Sequence, residues 1–229
     1  MCIRDRAEKV EFGISIPNIF RQGVDGFRKN AVPLLLAASV ILALLTGFGL
    51  WASQFETRSA SWFGIYLLSF ILAGTLSYPW FTYALQAARG EKVDLQSPFD
   101  HPKRFAHQLV ATLWFWAGFM LGVRFLSGIP SILVLILYAF YGYFVVEAGK
   151  GGSYALGASV RLGEKRRIGL FGIAVLFGVF NFIPLVIAFA IPQPIVTAVI
   201  SFVGLAISTS ITLVSGGAIY SVLKGLRNV

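Results

Sequence analysis

The sequence predicts an all-α polytopic membrane protein, a bundle of six transmembrane helices preceded by one amphipathic helix. Three observations predict it. Of the 229 residues, 57% are hydrophobic and only 13% charged, against roughly 45–50% and about 25% in soluble domains. The apolar residues fall into six runs, each of the roughly 17–25 residues needed to cross a bilayer. The lysines and arginines cluster on alternate connections between those runs, which is how orientation in a membrane is encoded. The same placement explains the net charge of +9 without a nucleic-acid partner.

Residues 1–14 are expected to be a disordered or artefactual N-terminus, because MCIRDR resembles the translation of a sequencing adapter. No cleaved signal peptide is expected. Residues 15–229 are expected to form a single six-helix membrane domain. SIPNIFRQGVDGFRKN at 15–30 reads as the amphipathic helix, with Ser15 as cap and Pro17 in the first turn. Ile16, Ile19, Phe20, Val24 and Phe27 share one face; Arg21, Gln22, Asp25, Arg28 and Lys29 share the other. Such a helix lies in the membrane interface or packs on one end of the bundle.

The six spans are read as Val32–Trp51, Trp62–Tyr83, Ala106–Leu126, Pro130–Val146, Ile168–Ile191 and Ile195–Tyr220. Pro79 falls near the inner end of the second span, and the Pro192-Gln193-Pro194 turn makes the last two antiparallel neighbours. Six lysines and arginines lie in the N-terminal segment, four between spans 2 and 3, five between spans 4 and 5, and two at the C-terminus. Only Arg58 and Arg124 lie on the other side. The positive-inside rule then puts both termini in the cytoplasm. The segment GFRKNAVPLLLAASVILALL resembles GEKRRIGLFGIAVLFGVF, a likeness that basic flanks before two inward-starting spans produce by themselves.

Catalytic groups are sparse. His101 and His107 lack any accompanying metal spacing, and Cys2 is the lone cysteine. No nucleophile elbow occurs, and GKGGS at 149–153 lacks phosphate-loop spacing. It reads as a flexible break, with Ser153 capping the helix that follows. No enzyme, cofactor or metal is expected. Glu147 at the inner end of span 4 is expected to pair with Lys150 or Arg161. A candidate intramembrane polar site comprises Asn181, Trp114, Trp116, Tyr138 and Tyr141, whose polar tips want partners in lipid. Pro184 removes a helical donor from span 5, so Asn181 is expected to face the interior, toward Ser208 or Thr212. Small residues every fourth position, Gly204, Ser208, Thr212 and Gly216 in span 6 with similar rows in spans 2 and 3, suit close helix packing. A homo-oligomer or a membrane protein partner stays open. Candidate lipid-headgroup contacts are Arg21, Arg28 and Lys29 on the amphipathic helix, and Arg161, Lys165, Arg166 and Arg167 before span 5. Anionic lipids on the cytoplasmic face are therefore the expected partners.

The basic amphipathic helix, the ALQAARGEKVDL stretch after span 2 and the block YFVVEAGKGGSYALGASVRLGEKRRIGLFGIAVL occur in an order that resembles a known group. It is the six-span bacterial membrane proteins related to the membrane domain of glycerophosphodiester phosphodiesterases. Glu147, Ala155, Ser159, Leu162 and Lys165 match that group's connection between spans 4 and 5. The resemblance implies the fold and a bacterial inner-membrane address. The phosphodiesterase domain is absent from this sequence, so the resemblance carries over no catalytic residue. It leaves two readings: a non-enzymatic component that organises lipids or membrane partners, or a small permease with a path between spans 3, 4 and 5.

Reporter fusions test the topology. Residues 55–58, 127–129 and 192–194 are expected outside, and 95–100 and 155–165 inside. A cytoplasmic signal at Gln193 removes the six-span reading.

Overall fold

The computed structural model describes residues 15–57, 59–125, 129–164 and 166–225. The N-terminal segment 1–14, the cations Arg58, Lys165 and Arg227, and residues 126–128 of the turn between spans 3 and 4 lie outside the described residues. The helices are α1 (Ile16–Lys29), α2 (Ala31–Ala52), α3 (Ala60–Leu76), α4 (Tyr78–Ala88), α5 (Lys103–Phe125), α6 (Ile129–Leu137), α7 (Tyr141–Ala148), α8 (Gly152–Leu162), α9 (Arg167–Phe189) and α10 (Pro194–Gly225). No strand occurs among the described residues. Five stretches are long and apolar enough to cross a membrane, and the bent pair α3–α4 makes six. The chain is a multi-pass helical membrane protein.

The amphipathic helix packs on the bundle, and its closest contacts are made by glycines. Ile19, Gly23 and Gly26 are its buried residues. A Cβ on Gly23 would stand 2.0 Å from Ser215 Oγ and 3.0 Å from the Ile211 carbonyl of α10. One on Gly26 would stand 2.8 Å from the Ala87 carbonyl of α4. Phe20, Val24 and Phe27 are half-buried beside them, and the Phe20 ring meets Phe180 of α9 edge-on at 5.1 Å. Ile16 stays exposed. Ser15 takes the cap position, but its side chain makes no cap bond. Asn30 fixes the junction with α2: its amide nitrogen donates to the Gly26 and Glu91 carbonyls, and its oxygen accepts from the Val93 amide.

Two spans are broken. Span 2 bends by 43° at Ser77. Pro79, in the first turn of α4, withholds a backbone donor from the ladder. At the bend the Gly74 carbonyl accepts from Ser77 Oγ at 2.6 Å and from Gln108 Nε2 of α5 at 3.0 Å. Span 4 divides at 138–140 without a proline. There Ser159 of α8 inserts its hydroxyl, accepting from the Phe140 amide at 3.1 Å and donating to the Leu137 carbonyl at 3.0 Å. A side chain wedged into the ladder is a recognised cause of a helix break.

The wedge also locates α8. Gly149 in the left-handed conformation ends α7, and α8 turns back into the bundle. Ala155, Leu156, Ala158, Ser159 and Leu162 are buried. Ser153 is no cap either: Gly151 holds that position and Ser153 lies within the helix.

Span 6 extends past its expected end at Tyr220 to Gly225, 32 residues in all. At 1.5 Å per residue it is about 48 Å long, well beyond the roughly 30 Å of a hydrocarbon core. Its buried residues begin only at Ala206 and continue to Leu223. The packed core therefore sits at one end of the bundle, and the first third of α10 is largely exposed. The small-residue row of span 6 is used within the chain. Gly204 lies under Pro184, Ser208 is buried, Thr212 reaches Asn181, and Gly216 lies against the Tyr143 hydroxyl.

A larger residue at Gly23 must push α1 off α10. Overpacking costs about 1–3 kcal/mol, so Gly23→Leu is expected to lower the thermal midpoint of the purified protein. Limited proteolysis should then release α1 first. An unchanged midpoint and cleavage pattern would mean that α1 is not docked.

Candidate functional site

The end of the bundle that holds the core also holds its charge. Glu147 is the one acidic residue in any of the six apolar stretches. It closes the last turn of α7, just before the Gly149 turn. Its Oε1 pairs with Arg89 at the end of α4, 2.6 Å away. Its Oε2 pairs with Lys224 of α10 at 2.8 Å and accepts from the Tyr220 hydroxyl. Arg104 of α5 donates to the Val146 carbonyl, one residue before Glu147. One carboxylate and its neighbouring turn thus tie four helices together. The Glu147 side chain is 23% exposed, so the pairs are neither fully wet nor fully dry.

Glu147 was expected to pair with Lys150 or Arg161. Its two ion pairs go instead to residues far away in sequence. The helix ends at Ala148 and the chain reverses at Gly149, so Lys150 leaves on the α8 side and lies 4.7 Å over the Tyr154 ring.

The five residues of the expected intramembrane site fall in three places. Trp116, Tyr138 and Tyr141 gather around Phe115, with ring centroids 5.0, 6.4 and 5.2 Å from it. Tyr141 OH is 3.4 Å from Thr112 Oγ1, and Trp116 stacks on Phe70 at 4.3 Å. Trp114 is 62% exposed on the outer surface. Two residues on a helix are separated by about 200°, so Trp114 and Trp116 cannot share a face. Asn181 lies apart, accepting from Thr212 Oγ1 of α10 at 3.3 Å.

Sequence reasoning missed Gln108, because a single polar residue in an apolar run gives no periodic signal; Ser159 stood out only as a match to the resembled group, with no structural role attached to it. Gln108 is fully buried, and its Oε1, like Tyr78 OH, has no partner among the described residues. Arg89 and Tyr220 were missed because their partner is 58 and 73 residues away.

The cations named as headgroup contacts lie outside the packing faces. Arg21, Arg28 and Lys29 are exposed on α1, Arg161 and Arg167 are exposed around the α8–α9 connection, and Arg166 is half-exposed. Lys165 is outside the described residues. Between α1 and the end of α4 runs an open groove of ≈ 390 Å³, lined among others by Asn18, Arg21, Gln22, Asp25, Lys29 and Arg89. Gln22 Nε2 donates to the Ala88 carbonyl at 2.8 Å, a bond between two of its lining residues. Arg21 and Asp25 face each other one turn apart at 3.9 Å.

The chain matches no family model, no curated protein and no solved structure.

A double-mutant cycle measures the Glu147 tie. Contacting residues show coupling of about 0.5–3 kcal/mol, and Glu147→Gln with Lys224→Met is expected to fall in that range in thermal or denaturant unfolding. Strict additivity would show that the pair contributes nothing to the fold.

Proposed function

We propose that this protein is a non-enzymatic component of the bacterial inner membrane. It gathers anionic lipids around the charged end of its bundle, and that end faces the cytoplasm. The observation that carries the reading is the division of labour among the cations. Arg89 and Lys224 are held by Glu147, and Arg104 by a backbone carbonyl. Arg28, Lys29 and Arg167 are exposed, and Arg21 is exposed beside Asp25. Each cation near an anionic leaflet contributes about 1 kcal/mol, so four of them select lipids appreciably. The aromatic filling between α5, the turn at 138–140 and α7 supports a packed interior over an open path. The resemblance of the connection between spans 4 and 5 to the phosphodiesterase membrane-domain group supports the bacterial inner-membrane address.

A small permease is the second reading, and one observation favours it. The broken spans 2 and 4 lie side by side, with Phe81 of α4 against Gly142 and Tyr143 of α7. Paired discontinuous helices are a feature of transporter binding sites.

Lipids retained through purification in neutral detergent separate the two. On the first reading, native mass spectrometry finds anionic lipid enriched over zwitterionic lipid relative to the source membrane. The variant Arg28→Gln/Arg166→Gln/Arg167→Gln should lower that enrichment. Equal enrichment in the variant, or none in the parent protein, overturns the first reading.

A further inference from the structure

We infer that the groove between α1 and α4 is a discrete site for one phosphate-bearing headgroup, distinct from the diffuse basic surface. The inference rests on the lipid reading above and narrows it to a place and a chemistry.

The walls of the groove have different origins. One is the polar face of α1: Arg21, Gln22, Asp25 and Lys29 recur at helical spacing. The other is the end of α4, where Ala87, Ala88 and Gly90 present backbone and little side-chain bulk. Gly90 has φ +77°, and nothing stands within 4 Å of where its Cβ would be. A side chain is disfavoured there by backbone conformation, so the mouth stays open. The Gln22 bond to the Ala88 carbonyl and the Gly26 contact with Ala87 hold the two walls at fixed separation. The groove is therefore a built feature of the α1 docking, absent from an isolated amphipathic helix.

The charge of the lining selects an anion. Three cations, Arg21, Lys29 and Arg89, line the groove with one carboxylate, Asp25. Arg21 and Asp25 are 3.9 Å apart, too far for a hydrogen bond, so Arg21 keeps its donors. Arg89 gives one terminal nitrogen to Glu147. A guanidinium carries five N–H donors in a planar fork, so Arg89 can serve Glu147 and an oxyanion together. Glu147 thereby orients one cation of the groove. Arginine forks suit phosphate oxygens, and a lysine adds a point charge.

Size and surroundings choose the source. A volume of ≈ 390 Å³ lies near the low end of ligand sites, about 300–1,000 Å³. It admits a headgroup and leaves acyl chains outside. Just beyond Lys29, α2 exposes Val32, Leu36 and Val40 at four-residue spacing, an apolar stripe of the kind that acyl chains cover. The shared chemistry is a phosphate oxyanion, and the favoured carrier is an anionic phospholipid rather than a free phosphate compound.

The test uses the full chain in neutral detergent with phosphatidylglycerol or phosphatidylcholine added, read by native mass spectrometry. The parent protein is expected to retain one phosphatidylglycerol at activation energies that strip the rest. Arg21→Gln/Lys29→Gln removes two cations, and at about 1 kcal/mol each the retention should fall by about tenfold or more. Arg166→Gln/Arg167→Gln should keep it. Asn18→Asp places a negative charge at the groove in the first turn of α1, where the helix dipole favours it. It should also lower retention, in a fold that is not weakened. Glycerol 3-phosphate as competitor assigns the source. Displacement shows that the oxyanion suffices, and persistence of the lipid shows that the lipid is required; the site stands in both cases. Retention unchanged in Arg21→Gln/Lys29→Gln and in Asn18→Asp overturns the groove. If Arg166→Gln/Arg167→Gln alone loses the lipid, the groove fails while the broader lipid reading stands. If phosphatidylcholine is retained as well as phosphatidylglycerol, both fail.

Discussion

In hydrocarbon every backbone N–H and C=O must find a partner inside the protein, and this structure interrupts two of its spans. The interruptions persist because other helices satisfy them. Ser77 and Gln108 share the Gly74 carbonyl at the first break. Ser159 takes both the Phe140 amide and the Leu137 carbonyl at the second. The architecture follows from these repairs. Gln108 ties α5 to the α3–α4 bend. Ser159 requires α8 to lie inside the bundle, and the chain must therefore turn back at Gly149 before it starts span 5.

Glu147 supplies a second constraint at the end of the same helices. It holds Arg89, Lys224 and Tyr220 from α4 and α10. These contacts draw α4, α7 and α10 together, and the core of Tyr143, Phe144, Tyr220 and their neighbours fills the space between. The opposite end has no comparable tie among the described residues. There α10 is largely exposed, its buried residues beginning only at Ala206. The molecule is thus rigidly packed at one end and lipid-facing at the other.

The amphipathic helix gains a different meaning from its docking. Its polar face is exposed as periodicity requires. Gly23 and Gly26 bring the helix so close to α10 and α4 that this face becomes one wall of a groove. A headgroup there would meet a prearranged set of cations, one of them oriented by Glu147.

The sequence by itself determined the fold class, the number of apolar stretches, the side on which positive charge collects and the polar face of α1. These are properties of composition and local period, and hydrocarbon leaves a long apolar run little choice but a helix. It also pointed Asn181 toward Ser208 or Thr212, because a two-proline turn forces adjacent spans together, and the packing chose Thr212. Tertiary structure decided the rest. Trp114 and Trp116 lie on different faces, Glu147 reaches Arg89 and Lys224, and Ser159 enters the break in span 4. Each depends on how neighbouring helices are rotated and how deeply they sit. Nothing in an apolar run encodes that rotation locally, since leucine, valine and phenylalanine are equally at home against protein or lipid. Only the packing of glycines, the bends at Ser77 and 138–140, and a few long-range hydrogen bonds set it.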